Sequence, residues 1–178
     1  MTGLGSWNSK FSTIDQAKLL LMLEEPPDGE FRPDWDAVRR VVPVVQLRKN
    51  NDAARHVNWV GDTQHFSLRF TRFLLQKKRD SSRPTDDPSL WPVHDDHRAN
   101  WLKIAKEQDF RVPLLYDEHG VQISGPALIE GLDNLPGTVV KVVFALNHHS
   151  IRTENGMKES FNGTLRSIHI ITRSADEP

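Results

Sequence analysis

The chain has 178 residues, no cysteine, a formal net charge of −1 and a mean hydropathy of −0.54. The absence of cysteine excludes disulfides, a thiolate nucleophile and a thiolate-ligated zinc ion. No apolar run approaches the roughly 20 residues that span a bilayer, and the N-terminus lacks the basic and apolar regions of a secretory signal. We therefore expect an intracellular protein without a membrane partner.

Charge is unevenly distributed along the sequence. Residues 39–80 contain ten Lys or Arg against three Asp or Glu, whereas residues 1–38 contain three against seven. A basic segment within an otherwise acidic chain indicates either a local anion-binding surface or cations that balance acidic neighbours within the fold. The sequence leaves both interpretations open.

Two helices are predicted near the N-terminus. Residues 13–25 combine good helix formers with a capping-box spacing at their start, and Pro26 stops the helix. Asp34 can cap a second helix over residues 35–42, which the next proline ends.

Residues 63–78 predict a third helix with a basic edge. The three phenylalanines of this stretch fall at i, i+4 and i+7, on one helical face, and Thr63 can cap it. A strand is the alternative, because apolar and polar residues alternate over 66–71. The helix accounts for more of the stretch, since the alternation fails at Arg72 and at the apolar run 73–75.

Residues 81–98 are rich in proline, serine and aspartate, and they predict a linker between a domain of residues 1–80 and a domain of residues 99–178. A short helix over 99–108 opens the second domain. Turn residues are frequent over 125–137.

The rest of the chain predicts β-structure. Residues 112–116 and 121–123 flank a turn and predict a hairpin. Residues 138–146 form the clearest strand and residues 163–172 supply its partner, with a hairpin tip at 154–156. The predicted fold class is therefore α+β, an N-terminal three-helix bundle followed by a small antiparallel β-sheet or barrel.

The three predicted helices carry the patterns KFSTIDQAKLLLMLEE, PDWDAVRRVV and GDTQHFSLRFTRFLLQKKR. With the Asp34-Trp35 pair at the start of the second helix and Thr63, Phe66 and paired basic residues in the third, this pattern resembles Myb/SANT-like DNA-binding domains. The resemblance implies a bundle whose third helix enters the major groove of DNA or, in some relatives, binds protein.

The C-terminal half is similar to small β-barrels of the OB type that bind single strands. The features that carry this similarity are the Leu135-Pro136-Gly137 turn, the valine-rich strand after it, the His148-His149 pair, and a second strand with Phe161 and Arg166. The similarity implies a second binding module, for single-stranded nucleic acid or for a protein.

The candidate nucleic-acid-binding residues are long basic or amide side chains. On the predicted third helix they are Arg69, Arg72, Gln76 and Lys77. Supporting phosphate contacts are expected from Arg39, Arg40, Arg48 and Lys49. Arginine suits bidentate contact with guanine, and both cations neutralise phosphate. The alternative is that these residues form the solvated face of ordinary amphipathic helices.

Aromatic residues offer a second means of contact with bases. Those that can stack on bases are Trp91, Trp101, Tyr116, Phe144 and Phe161. Core packing is the commoner fate of such residues.

Two histidine clusters suggest other chemistry. The run 94–97, His-Asp-Asp-His, has the residue types of a metal site, but the sequence places no further ligand beside it. His148 and His149 lie at a strand end and would carry the site if the chain were a small enzyme. We expect no metal, no cofactor and no catalytic residue.

The predicted function is that of a non-enzymatic DNA-binding protein, either a regulatory or a single-strand-binding accessory factor. Residues 77–79, Lys-Lys-Arg, form a minimal basic run that favours a nuclear location. One alternative is a protein–protein interaction module with no nucleic-acid role, and another is a small enzyme with a histidine site in the β half. DNA is the expected partner, and a protein is the second.

Overall fold

A computed structural model describes most of the chain. The described residues are 14–26, 29–47, 67–78, 86–154 and 156–172. Their contacts divide the chain into two compact units. The first unit comprises Met1–Leu20, Thr71–Val143 and Leu165–Pro178, and the second comprises Leu21–Phe70 and Phe144–Thr164. No helix within the described ranges is long and apolar enough to cross a membrane.

The described residues form three α-helices and eight strands. The helices are α1 (Arg32–Leu47), α2 (Asp95–Glu107) and α3 (Pro126–Asp133). The strands are β1 (Lys18–Leu23), β2 (Leu68–Phe73), β3 (Leu75–Lys77), β4 (Gln108–Phe110), β5 (Leu114–Tyr116), β6 (Gln122–Ile123), β7 (Val139–Thr153) and β8 (Gly156–Thr172). Two 3₁₀ turns lie at Ile14–Gln16 and Pro88–Leu90.

Six of these strands form one mixed sheet. Its order is β1-β2-β8-β5-β6, and β7 also pairs with β8. Leu115 of β5 lies opposite Ile168 of the parallel strand β8 and opposite Ile123 of the antiparallel strand β6. Strands β3 and β4 form a separate antiparallel pair. The described chain is therefore mainly sheet, and the predicted N-terminal three-helix bundle is wrong.

The first predicted helix, over residues 13–25, is a 3₁₀ turn followed by strand β1. Ala17, just before β1, and Leu19, within it, are buried. A short apolar run does not specify helix or strand by its own period, and its leucines suit a buried strand as well as a helix. This segment forms a strand because it pairs with β2, and the local sequence does not encode that pairing.

The third predicted helix, over residues 63–78, is also wrong. Its described part forms β2 and β3, which are separated by Leu74, and its predicted cap lies outside the described residues. The N–H of Leu74 donates to the carbonyl of Ala17 at 3.0 Å, and the carbonyl of Leu74 accepts from the N–H of Arg111 at 2.9 Å. Because the strand breaks at Leu74, Leu74 and Leu75 are both buried although they are adjacent in sequence. The apolar run 73–75, which interrupts the alternation of apolar and polar residues, therefore marks the point where one strand ends and the next begins.

Several other local predictions are confirmed, although with different bounds. The second predicted helix lies within α1, which starts at Arg32 and continues through Pro43 to Leu47. The helix predicted over 99–108 overlaps α2, which starts earlier, at Asp95, and ends at Glu107, one residue before the predicted end. The hairpin around Asp117 forms from β5 and β6, and the carboxylate of Asp117 accepts from the N–H of Val121 at 2.8 Å.

The long hairpin near the C-terminus also forms, although one turn-rich stretch is a helix. Strand β7 pairs with β8, and Gly156 has φ 110, which favours glycine at that turn. The stretch 125–137, predicted as turns, contains α3 with Pro126 in its first turn. The predicted division into residues 1–80, a linker and residues 99–178 stays a prediction.

Three aromatic rings organise the core of the first unit. Phe110 meets Trp91 and Trp101 edge to face, at centroid distances of 5.8 and 5.4 Å. The indole N–H of Trp101 donates to the carbonyl of Pro88 at 2.8 Å, so this buried polar group is satisfied. Trp91, which the sequence placed in a polar linker, is only 4% exposed. Both tryptophans are therefore core residues.

The second unit is packed around Phe70. Its ring lies 4.7 Å from that of Phe144, measured between centroids, and Phe70 is 1% exposed. Gly163 makes room for it, because a Cβ added there would lie 2.7 Å from Cδ1 of Phe70. The aromatic ring cannot yield as a flexible side chain would, so this contact requires glycine.

We expect Gly163→Ala to lower the free energy of unfolding by about 1–3 kcal/mol, because the added methyl group overpacks the Phe70 ring. Urea unfolding followed by circular dichroism measures this change. Arg166→Ala, an exposed position on the same strand, is the matched control and should change stability by less than about 0.5 kcal/mol. Equal midpoints for the two variants would contradict the proposed contact.

Candidate nucleic-acid interface

The two arginines of β2 have different roles. Arg72 is half-buried, and its guanidinium donates to the carbonyls of Leu165 at 3.0 Å and Arg111 at 3.4 Å. Arg69 is exposed between two buried residues of the strand. Arg72 therefore secures the backbone within the first unit, and Arg69 is a solvent-facing cation of the second unit.

An exposed aromatic ring lies beneath a lysine in the first unit. The ammonium of Lys18, on β1, lies 4.2 Å from the centroid of the Phe73 ring at the end of β2. Phe73 is 44% exposed, which is unusual for so large an apolar side chain. We call these two side chains the Lys18–Phe73 pair. It is a cation–π contact, worth about 0.5–1 kcal/mol at an exposed site.

Gln76 and Lys77 lie just beyond this pair on β3. The side-chain amide of Gln76 donates to the carbonyl of Phe73 at 3.1 Å, and Lys77 is exposed. The nearest strand neighbour with a negative charge is Asp109, opposite Gln76 in the register. The buried carboxylate of Asp109 pairs with the guanidinium of Arg111 at 3.0 Å. The negative charge of Asp109 is therefore compensated by a residue close to it in sequence.

Two arginines of α1, which the sequence predicts as phosphate contacts, make contacts within the second unit. Arg39 lies 3.7 Å from the carboxylate of Glu25, which also pairs with Arg32 at 2.7 Å. The guanidinium of Arg40 donates to the backbone carbonyl of Asp36 at 3.2 Å. These contacts reduce the positive charge that Arg39 presents. Arg48 and Lys49 lie outside the described residues.

A partly open cavity of about 150 Å³ lies in the first unit. Its lining consists of Ile14, Ala17, Lys18, Leu74, Trp91, Pro92, Val93, His94, His97 and Trp101. Apolar side chains form most of this wall, and Lys18 and two histidines supply polar groups. The cavity therefore adjoins the Lys18–Phe73 pair through a shared side chain.

One histidine of each cluster makes a local contact within the fold. Nδ1 of His94 accepts from the N–H of Asp96 at 3.4 Å and caps α2. The ring of His148 lies 4.8 Å from that of Phe161, measured between centroids. Among the residues that the structure describes, no three His, Cys, Asp or Glu side chains are grouped to hold a metal ion.

The Lys18–Phe73 pair was missed because its two residues belong to elements that were predicted as helices. Lys18 lies in the acidic segment 1–38, and Phe73 is predicted on the apolar face of a helix. The signal that favoured a surface role is the absence of acidic residues from 63 to 79, which includes Phe73. Only the pairing of β1 and β2 shows that Lys18 joins this surface.

No family model matches the sequence, and no curated protein matches it. Solved structures give weak likenesses. The single-stranded DNA-binding protein from bacteriophage Enc34, as a C-terminal truncation, is 13% identical with a TM-score of 0.49, over 92% of this chain and 74% of that chain. The same phage protein in complex with ssDNA is 10% identical with a TM-score of 0.47, over 97% and 78%.

The single-stranded DNA-binding protein gp2.5 encoded by bacteriophage T7 is 13% identical, with a TM-score of 0.40, over 91% of this chain and 80% of that chain. At these identities and TM-scores, the likenesses decide neither the fold nor the function of this chain. Strands β1, β2 and β3 take the place of the first and third predicted helices, which removes the basis of the Myb/SANT resemblance. Nothing in the structure or the likenesses supports the nuclear location.

The contacts of Arg72 predict a loss of stability when it is removed. Arg72→Ala should lower the free energy of unfolding by about 1–3 kcal/mol, because two part-buried carbonyls lose a charged donor. Arg69→Ala should change it by less than about 0.5 kcal/mol. Chemical denaturation of both variants measures the difference, and a stable Arg72→Ala protein would refute the structural role.

Proposed function

We propose that this chain binds single-stranded DNA through the surface around the Lys18–Phe73 pair. The observation that carries the proposal is a phenylalanine that is 44% exposed on a strand, with an ammonium 4.2 Å from its ring centroid. Aromatic residues on a sheet with neighbouring cations form the stacking and phosphate-binding surface that single strands require. Exposed Lys77, nearby on β3, adds a further cation.

A single strand suits this surface better than a duplex. The faces of the bases are stacked inside a duplex and are not available to a phenylalanine ring, whereas in a single strand they are exposed. The predicted recognition helix, which would have entered the major groove, is replaced by β2 and β3. The accessory role in single-strand binding is therefore favoured over regulatory binding to duplex DNA.

Ligand binding would replace the contact between Lys18 and Phe73 with stronger ones. A base stacked on an aromatic side chain contributes about 1–3 kcal/mol, and the exposed cation–π contact contributes about 0.5–1 kcal/mol. Lys18 would then neutralise a phosphate of the same strand. The exchange is favourable on these magnitudes, because the stacked base contributes more than the cation–π contact that it replaces.

The OB-like sheet, the non-enzymatic role and the individual phosphate contacts that the sequence suggests are also proposals. An OB-like arrangement of the sheet and a non-enzymatic role both agree with a stacking surface. Arg69 and Lys77 remain proposed phosphate contacts, each tested by a single alanine variant. Arg72 is withdrawn from the proposed site, because its guanidinium donates to two backbone carbonyls.

We expect Phe73→Ala to weaken binding of a fluorescein-labelled dT12 oligonucleotide by about 5- to 150-fold, the equivalent of losing one stacked base. Fluorescence anisotropy at low salt measures the affinity. Phe73→Tyr keeps the ring and should bind as wild type does. Val121→Ala removes another exposed apolar side chain, 60% exposed and next to the β5–β6 turn, and should also bind normally.

Lys18→Ala should weaken binding and flatten its salt dependence, because each phosphate contact on a single strand contributes about −0.7 to the slope of log K against log salt. Lys106→Ala, an exposed lysine in the last turn of α2, is the matched control and should leave the slope unchanged. Absence of binding to dT12 at low salt would overturn the proposal and favour the protein-interaction alternative.

A further inference from the structure

The cavity beside Lys18 has the size and the lining of a site for one small planar ring. Its volume is about 150 Å³. An apolar cavity of about 150 Å³ in another protein binds one benzene molecule. A pyrimidine base has one six-membered ring, whereas a purine has two fused rings, so the volume favours the pyrimidine.

Most of the residues that line this cavity are apolar, and three of them are held by tight packing. Leu74 and Trp101 are each 1% exposed, and Trp91 is 4% exposed. The indole of Trp101 is held by its bond to the carbonyl of Pro88, and Trp91 packs edge-on against Phe110. A cavity that is already formed binds a ring without the loss of side-chain freedom that would otherwise oppose binding.

The rim of the cavity carries polar groups that suit a pyrimidine and its backbone. His94, His97 and Lys18 belong to the lining, and His94 is exposed to solvent. Both thymine and cytosine carry the O2 carbonyl, which can accept from an imidazole N–H. A small number of polar groups around an apolar wall is the usual composition of a ligand site.

Lys18 joins the cavity to the exposed aromatic ring. Its side chain lines the cavity, and its ammonium lies 4.2 Å from the centroid of Phe73. Two consecutive bases, one on Phe73 and one in the cavity, would place their linking phosphate near this ammonium.

We propose that the cavity receives one pyrimidine base of the single strand that is bound at the Lys18–Phe73 pair. This inference rests on the proposed function and adds a preference for pyrimidines at one nucleotide position. It assigns the two histidines of the 94–97 run to base recognition and not to a metal ion.

The decisive experiment compares labelled dT12, dA12 and an abasic 12-mer, with wild-type protein and with Val93→Trp. Val93 lines the cavity and is half-buried, so a tryptophan there should fill it. Val121→Trp places the same residue at a position that is 60% exposed and is the matched control. Anisotropy at one low salt concentration gives all the affinities.

Wild type should bind dT12 about 5- to 150-fold more tightly than dA12, which corresponds to one additional buried base. Self-stacking of dA12 also lowers its affinity. The test of the cavity is therefore how Val93→Trp changes the ratio of the dT12 affinity to the dA12 affinity. Val93→Trp should lower that ratio at least fivefold without weakening the abasic 12-mer, and Val121→Trp should leave the ratio unchanged. An unchanged ratio in a folded Val93→Trp protein would overturn the proposal.

A second measurement needs no variant. A dA12 strand that carries one central dT should bind wild type more tightly than dA12 itself and should quench tryptophan fluorescence, since Trp91 and Trp101 form the wall. Equal affinity for the two strands would overturn the cavity proposal even if Val93→Trp fails to fold. Failure of every oligonucleotide to bind, including the abasic strand, would instead overturn the proposed function.

Discussion

The backbone of Leu74 links distant segments of the first unit next to the proposed binding surface. Its N–H and carbonyl bond to Ala17 and Arg111, so one residue secures the ends of segments that are distant in sequence. Because the strand breaks there, Phe73 faces solvent while Leu74 and Leu75 are buried. The same residue forms part of the cavity wall. The exposed ring and the cavity therefore both depend on this break.

Local sequence signals were sufficient for the parts of the fold that form from neighbouring residues. The hairpin at Asp117, the α2 helix around buried Trp101 and the strands on either side of Gly156 all follow from short-range periodicity and turn chemistry. The second helix was found for the same reason, although Pro43 lies within it and does not end it.

The two errors that change the fold class fall where pairing between distant segments overrides local helix propensity. The leucines after Lys18 are good helix formers, and the phenylalanines before Leu74 happen to match a helical period. Both segments become strands because they pair with each other and, for β2, with β8. A single sequence does not contain that pairing as a local pattern. Arg72, which seemed to break an apolar face, is accommodated there because two carbonyls accept from its guanidinium.

The candidate site was predictable in its chemistry and only partly in its residues. The excess of basic residues over 39–80 indicates a basic region, and the structure assigns different contacts to the described members of it. Arg72 bonds to backbone and Arg39 meets Glu25, whereas Arg69 and Lys77 remain exposed. Lys18 comes from outside the basic segment. Charge counting therefore identifies a basic region, and only the strand pairing identifies the cation that contacts an aromatic ring.

The contacts of Arg72 also set the order in which the protein can fold. Its guanidinium meets carbonyls that are 39 and 93 residues further along the chain, so the contact order of this region is high. During synthesis, these bonds cannot form until Leu165 has left the ribosome. Until then β2 is without β8, its neighbour in the sheet. The edge of β2 that pairs with β8 is therefore completed only when the C-terminal part of the chain has been synthesised.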